Sequence, residues 1–360
     1  MDFYRSILKQ TDVSLMLAKH VFFSKLRQPN ANMVLSPLSI QKVLGMIAAG
    51  SKGRSLDQLL SFLKFNSIEE LNYVSSRVIT DIFADGSPYG GPRLSVAHGV
   101  WIDKTLSFKP SFKQIMDNVY KAGYSSVDFL HKADEARAEV NKWTEEKTNC
   151  LIKEILPPGA VDYRTSLILA NALYFKGAWY EKFNASDTKD DEFHLLNEGS
   201  VQAPFMTSQK KQYFDGFKVL KLPYEQGYDR KRCFSMYLFL PNARDGLPAL
   251  LDKISSEPGF LNQHIPLDRV KVGKFLVPKF KICFGIEASE VLKGVGVTAP
   301  FISGLTEMVD YDQDLFVDKV FHKSFIEVNE EGTEAAAATA AMINKGRTAR
   351  KEVDFVSLSD

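Results

Sequence analysis

The sequence predicts an α+β fold, on three observations. Helical spacing dominates the first third, strand signals dominate the second half, and no fixed-period repeat or long linker separates them. Helices followed by strands argue against the regular alternation of a doubly wound parallel sheet. The composition permits a sizeable core, because 45% of the 360 residues are hydrophobic and 12% aromatic. Length alone leaves one large unit or about two domains open.

Leu15, Leu17, Val21 and Phe22 recur at near-helical steps, which predicts a first helix to about residue 27, stopped by the turn-rich QPNANM. Ser36 or Ser39 can cap a helix over 40–49 that Gly50 terminates, and 55–65 has the pattern of a further short helix. After the loop DGSPYGG, the segment LSVAHGVWID alternates Leu94, Val96, Val100 and Ile102 as a strand does. Helical spacing returns over 112–119 and 133–156, the second with Val140, Trp143 and Leu151 on one stripe and Pro157, Pro158 and Gly159 beyond it. LILANALYFKGAW reads as a buried strand. FKVLKLPY, CFSMYLFLP, RVKVGKFLVPKFKICFGI and FVDKVFHKSFIEVNE follow as strands, with short helices over 247–255 and 287–293.

Several function classes fall away. The net charge is +1, so no long-range field invites nucleic acid or an anionic membrane. Cys150, Cys233 and Cys283 are odd in number and far apart, which argues against a disulfide framework and for a reducing compartment. Arg5, Lys9, Asp12 and Lys19 interrupt the N-terminal segment, so no secretory leader is read there and a cytoplasmic protein is expected. Without a leader, Asn184-Ala185-Ser186 is a coincidental glycosylation acceptor. No run of about eighteen apolar residues exists to span a membrane as a helix. His20, His98, His131, His194, His264 and His322 show no metal-ligand spacing, so neither a metal nor another cofactor is expected. GVGVTA follows a helical stretch, where a dinucleotide fingerprint needs a strand, and reads as a helix end and turn. With no GxSxG, no SxxK triplet completed by SDN and KTG, and no P-loop, the residues give an enzyme no support.

The informative stretch is EVNEEGTEAAAATAAMINKGRTARKEVDF. A strand runs into acidic residues, then Gly332, Thr333, Glu334 and alanines from Ala335 to Ala341 broken by Thr339, before the basic Lys345, Arg347, Arg350 and Lys351. An alanine-rich surface helix is one interpretation, since alanine has the highest helix propensity. The other is a hinge plus a bait. Small side chains let a segment slip between existing strands, and the basic residues beyond are presented to an enzyme that cuts after Arg or Lys.

At this stretch the sequence resembles the serpins, the serine protease inhibitor family, through HKSFIEVNEEGTEAAAAT. VLSPLSI, ANALYFKGAW, VNKWTEEKTNCLIKEILPPGAV, PFMTS, VPKFKI and GLTEMV extend the resemblance over most of the chain. LLSFLKF and GGPRLSVAHGVWIDKTLSFKPSFK make it most similar to the plant serpins. The resemblance implies one serpin domain over 1–360, with three β-sheets, eight or nine helices and an exposed reactive-centre loop over 330–353. It also implies a monomeric suicide inhibitor, not an enzyme. A protease attacks the loop and forms an acyl-enzyme, and the hinge half then enters the central sheet as a new strand. Ten or so new hydrogen bonds supply on the order of 10 kcal/mol, enough to distort the oxyanion hole and stall deacylation.

Carried over, Glu330, Glu331, Gly332, Thr333, Glu334, Ala335, Ala336, Ala337 and Ala338 match the hinge, with Thr333 first to enter the sheet. Ser36, Pro37, Ser39, Asn171 and His322 match a polar shutter where the sheet opens, and Trp179 matches the tryptophan at the point of entry. The family spacing sets the scissile bond between Gly346 and Arg347, but Arg347-Thr348 offers a protease pocket more to hold and is preferred, with Lys345, Gly346 and Arg350 as alternatives. The partner expected is a serine or cysteine protease with Arg/Lys specificity: trypsin-like, a metacaspase or papain-like. Family membership also leaves an extracellular location open.

The sequence departs from the family in three places. Loops look short near KQYFDGFKVL and between Pro300 and Gly304, which surface positions tolerate. After Phe355 the family pattern continues with two strands in the middle of the second sheet, whereas here the sequence reads VSLSD. A serpin without those strands is expected to be weakened, each buried Leu, Val or Phe being worth about 1.5–3 kcal/mol. The alternative function is therefore a truncated, non-inhibitory serpin that is only cleaved as substrate or acts as a binding protein.

Overall fold

The computed structural model describes residues 3–25, 32–195, 199–207, 217–229, 231–265, 276–310 and 314–345. Helix α1 (Phe3–Lys25) buries Val13, Leu17 and Val21 along one stripe, as their four-residue spacing requires. In α2 (Pro37–Ala49) the Ser36 side chain accepts the amide of Ser39, Pro37 occupies the first turn and Gly50 ends the helix. The helices α3 (Gly53–Phe62), α4 (Ile68–Arg77) and α5 (Pro110–Ile115) follow. Helix α6 (Phe129–Lys147) begins before and stops short of the expected 133–156. Asn149 and Cys150 have positive φ, and Asn141 Oδ1 accepts the amides of Ile155 and Leu156, so the chain leaves the helix while those apolar residues stay buried. With α7 (Leu247–Ser256), α8 (Phe260–Gln263) and α9 (Ser289–Gly294) there are nine α-helices among the described residues. Past α9, Gly296 takes φ +95°, the turn expected of GVGVTA.

The strands are β1 (Arg93–Asp103), β2 (Gly123–Val127), β3 (Thr165–Ala178), β4 (Lys189–His194), β5 (Ser200–Met206), β6 (Phe217–Pro223) and β7 (Ser235–Pro241). Then come β8 (Val277–Pro278), β9 (Phe280–Glu287), β10 (Leu315–Val328) and β11 (Gly332–Lys345). They form three sheets among the described residues: six strands in the order β2-β1-β3-β11-β10-β9, three in the order β4-β5-β8, and the pair β6-β7. Only β2 pairs in parallel within the large sheet. Alternation along its central strands sends Leu167, Leu169, Ala341 and Ile343 into the layer of α1 and α2, and Ile168, Ala170, Ala340 and Met342 into the layer under α6. The large sheet is thus sandwiched between two helical layers.

One expectation is corrected here. The loop implied to stand exposed is, over its hinge half, strand β11, paired along both edges in the middle of the sheet. Its residues from Ala336 to Ile343 are all buried. The helix that alanine propensity favours does not form either, because two strand partners and two apolar layers outweigh a few tenths of a kcal/mol per residue. The end of the chain, where the sequence departs from the family pattern, lies outside the described residues, as does the 269–275 part of the third expected strand.

Candidate functional site

The site is the slot between β3 and β10 that β11 fills. Small side chains suit it. Ala336, Ala338 and Ala340 lie against the α6 layer and Ala341 against the α2 layer, where longer groups would have to displace packed helices.

At mid-slot, register sets four polar residues in one row across four strands: His98 on β1, Asn171 on β3, Thr339 on β11 and His322 on β10. All four are buried. His322 Nε2 accepts the Ser36 amide at 3.1 Å, which leaves its Nδ1–H to donate to Thr339 Oγ1 at 2.7 Å. Thr339 in turn donates to Ser39 Oγ at 3.1 Å, and Ser39 donates to Asn171 Oδ1. Ser324 Oγ lies 2.7 Å from His322 Nε2 and is a second donor to it. Burial holds His322 down at about 3, so the imidazole is neutral and this one-directional chain is the form present near pH 7. The chain ties α2, β3, β11 and β10 together.

At the entry end, Gly332 lies where a Cβ would come within 2.0 Å of the Gly177 carbonyl oxygen, so only glycine fits against β3. Thr333 is buried, and Tyr224 donates to its Oγ1 at 2.9 Å. The Tyr224 ring stacks on Trp179 at 4.7 Å, while Trp179 Nε1 donates to the Asn329 carbonyl at 2.8 Å and its amide to the Glu331 carbonyl at 2.9 Å. Burial opposes ionisation of Glu330, yet Lys279 at 2.8 Å and Thr188 hold its carboxyl below the usual range. Glu331 meets Lys182, and Glu334 accepts from Tyr174 at 2.6 Å. At the far end, the Lys345 amide donates to the Arg164 carbonyl at 3.3 Å.

Residues 9–357 match the family model described as Serpin (serine protease inhibitor). Serpin-ZX of Arabidopsis thaliana is 56% identical over 99% of this chain and 93% of its own length. Serpin-ZXA of Oryza sativa subsp. japonica is 53% identical over 99% and 92%.

The chain belongs to the serpin family.

Among solved serpins, Arabidopsis AtSerpin1 in its native stressed conformation is 57% identical, with a TM-score of 0.86 over 92% of this chain and 86% of that one. The cleaved Serpin 42Da is 30% identical, with a TM-score of 0.83 over 96% and 91%. The resemblance read from the sequence is thus shown, and with it the plant-serpin character and the serpin fold, with three sheets and nine helices among the described residues.

Of the residues singled out in the sequence, Ser36, Ser39, Asn171 and His322 meet in the mid-slot chain, Pro37 opens α2 beside them, and Trp179 sits at the entry beside Glu330, Glu331 and Thr333. Ala335 to Ala338 lie along the slot. Lys345 is the last described residue, and Gly346, Arg347, Thr348 and Arg350 lie outside the described residues. Sequence reasoning missed Thr339, Tyr224 and Ser324. Thr339 carried a signal, as the one interruption in the alanine run; Ser324 shares a face of β10 with His322 two residues away, and Tyr224 comes into place only through its long-range contact with Thr333. No cluster of His, Cys, Asp and Glu that could hold a metal occurs among the described residues, and all three cysteines are free and exposed.

Proposed function

We propose that this serpin is a suicide substrate for a serine or cysteine endopeptidase with Arg/Lys specificity, with Arg347-Thr348 as the bait. The observation that carries the proposal is β11: the hinge segment fits the central sheet along its whole length, thirteen residue pairs on each edge. In the reaction, the protease nucleophile attacks the Arg347 carbonyl carbon, the bond to the Thr348 nitrogen breaks, and that nitrogen leaves as an amine carrying the proton relayed from the nucleophile. The acyl-enzyme is then drawn along the sheet as β11 zips in. Fourteen strand residues at about 3.3 Å each move the attached protease roughly 45 Å, from the Trp179 end to the Arg164 end. The hydrogen bonds gained supply the work that deforms its oxyanion hole, so that water does not complete deacylation.

A second reading follows from the same strand. A molecule whose hinge already lies in the sheet has nothing left to insert, and is cleaved as an ordinary substrate or only binds partners. Incubation with trypsin, followed by a denaturing gel and sequencing of the released peptide, separates the two. A covalent band at near-unit stoichiometry, with Thr348 at the start of the peptide, is expected. Clean cleavage with undiminished trypsin activity would establish the second reading.

A further inference from the structure

α1, α2 and α4, with the segments that follow α3 and α4, line a partly open cavity of about 260 Å³. Its wall is mainly aliphatic and aromatic, with Leu38, Leu63, Phe65, Val74 and Val78 in it, and it holds one cation, Lys42. Lys42 lies on α2 and is buried, with only 6% of its surface exposed. No hydrogen bond or ion pair reaches it among the described residues. Among the other polar groups of the wall, Gln41 donates to the Gln10 carbonyl and to Ser14 Oγ, both at 3.1 Å, Gln10 donates to the Leu63 carbonyl at 2.6 Å, and Thr11 donates to the Ile7 carbonyl at 3.1 Å. The nearby carboxylate of α4, Glu70, is taken up by the Asn66 amide at 3.0 Å, the Asn66 side chain at 2.8 Å and Ser6 at 3.3 Å.

A buried lysine without a partner is costly, and burial alone brings Lys42 down to about 7. A monoanion seated beside it would offset that cost, and an apolar tail would fill the rest of the space. The volume lies near the lower end for ligand pockets and well above the roughly 150 Å³ that admits benzene, which selects a chain of medium length. We infer that this cavity is a binding site for a small anionic amphiphile, its carboxylate on the Lys42 ammonium and its hydrocarbon chain against Leu38, Leu63, Phe65, Val74 and Val78.

Decanoate titrated calorimetrically into the full chain tests this, with decanol as the uncharged control and a thermal scan alongside. One saturable site is expected, with Tm raised by about 2 °C or more at saturation. Decanol should bind about tenfold more weakly, the factor expected for loss of a charged hydrogen bond. Because the bound carboxylate favours the ammonium, titrations at pH 8 in buffers of different ionisation enthalpy should show net proton uptake. Lys42→Met keeps the volume and should lose the preference for decanoate and the proton uptake. Val74→Phe, which fills the cavity and leaves Lys42 in place, should lose both ligands. Equal binding of decanoate and decanol, wild-type affinity in either variant, or no saturable binding would overturn the assignment.

Discussion

Strands β3 and β11 lie side by side over thirteen residue pairs, both buried on both faces except near the entry end, yet they are built from opposite materials. β3 fills its layers with Leu167, Ile168, Leu169 and Tyr174, whereas β11 meets the same layers with alanine at six of its seven central positions, 335–341. One strand is packed for size and the other for passage. A strand that forms with the body can be as large as the core allows. A strand that enters between layers already formed must be slim wherever helices lie above and below it. The two meet in a polar row, so the sheet's centre is held by directional hydrogen bonds at the position where the apolar packing is thinnest.

That row has a histidine on each side, and the largest expected effect comes from them. On the β3 side, His98 Nε2 finds no hydrogen-bond partner among the described residues, while on the β11 side His322 uses both ring nitrogens. Burial lowers both to about 3, and for His98 the nearby Lys42 adds to it. The unfolded chain protonates these histidines below about 6.5 and the fold does not, so their contribution to stability is level above that pH and is lost as pH falls from 6.5 toward 3. Each histidine contributes about 1.4 kcal/mol per pH unit within that window. Urea unfolding between pH 6.5 and 5, above the range where carboxylates titrate, should show the summed slope, and His98→Asn should halve it. A flat profile there would remove the electrostatic half of the comparison.

The packing half is tested by exchanging sizes. Leu169→Ala in β3 should destabilise the protein by about 2–5 kcal/mol, through lost burial and the cavity left behind. Ala340→Leu in β11 adds bulk of the same kind, yet should also destabilise the inserted form, by about 1–3 kcal/mol, because the α6 layer must move. Denaturant midpoints for the pair decide it. If Ala340→Leu stabilised the protein, β11 would be an ordinary underfilled strand and the argument from passage would fail.

The difference between the strands also explains what the sequence revealed. LILANALYFKGAW announces itself as a buried strand, because its large apolar residues have no other use. The alanine run gives the opposite local signal, and its small side chains together with its likeness to a serpin hinge pointed to insertion. The exposed loop was the wrong state to expect for these residues, since no periodicity records whether a segment is outside a sheet or within it. Trp179, Ser39, Asn171 and His322 could be named from the motifs around them. Tyr224 could not, because its role depends on the distant Thr333 that β11 brings to it, and Ser324 could not, because a polar residue two places from a histidine on one strand is too common a spacing to stand out. α4, β2, β4 and β5 escaped notice as short or polar segments, the last two with exposed charged or polar faces that carry no apolar alternation.

Thr339 is the residue at which the two kinds of strand are joined, and its replacement is the finest probe of the comparison. Valine has nearly the same shape and favours strand, so Thr339→Val leaves the backbone and the packing as they are. What it removes is the acceptor for His322 Nδ1–H and the donor to Ser39, leaving the buried imidazole N–H unsatisfied and Ser39 Oγ with only its bond to Asn171. The expected cost is about 1–3 kcal/mol, and it should fall on the inserted form alone, since only there does β11 lie between Asn171 and His322. Thermal scans of the loop-cleaved protein beside a five-strand form carrying the same substitution, with the loop held out of the sheet, would read the difference. A loss confined to the cleaved protein ties the polar row to insertion. An equal loss in both would mean that Thr339 acts on the fold at large, and that the break in the alanine run has some use other than locking the entering strand.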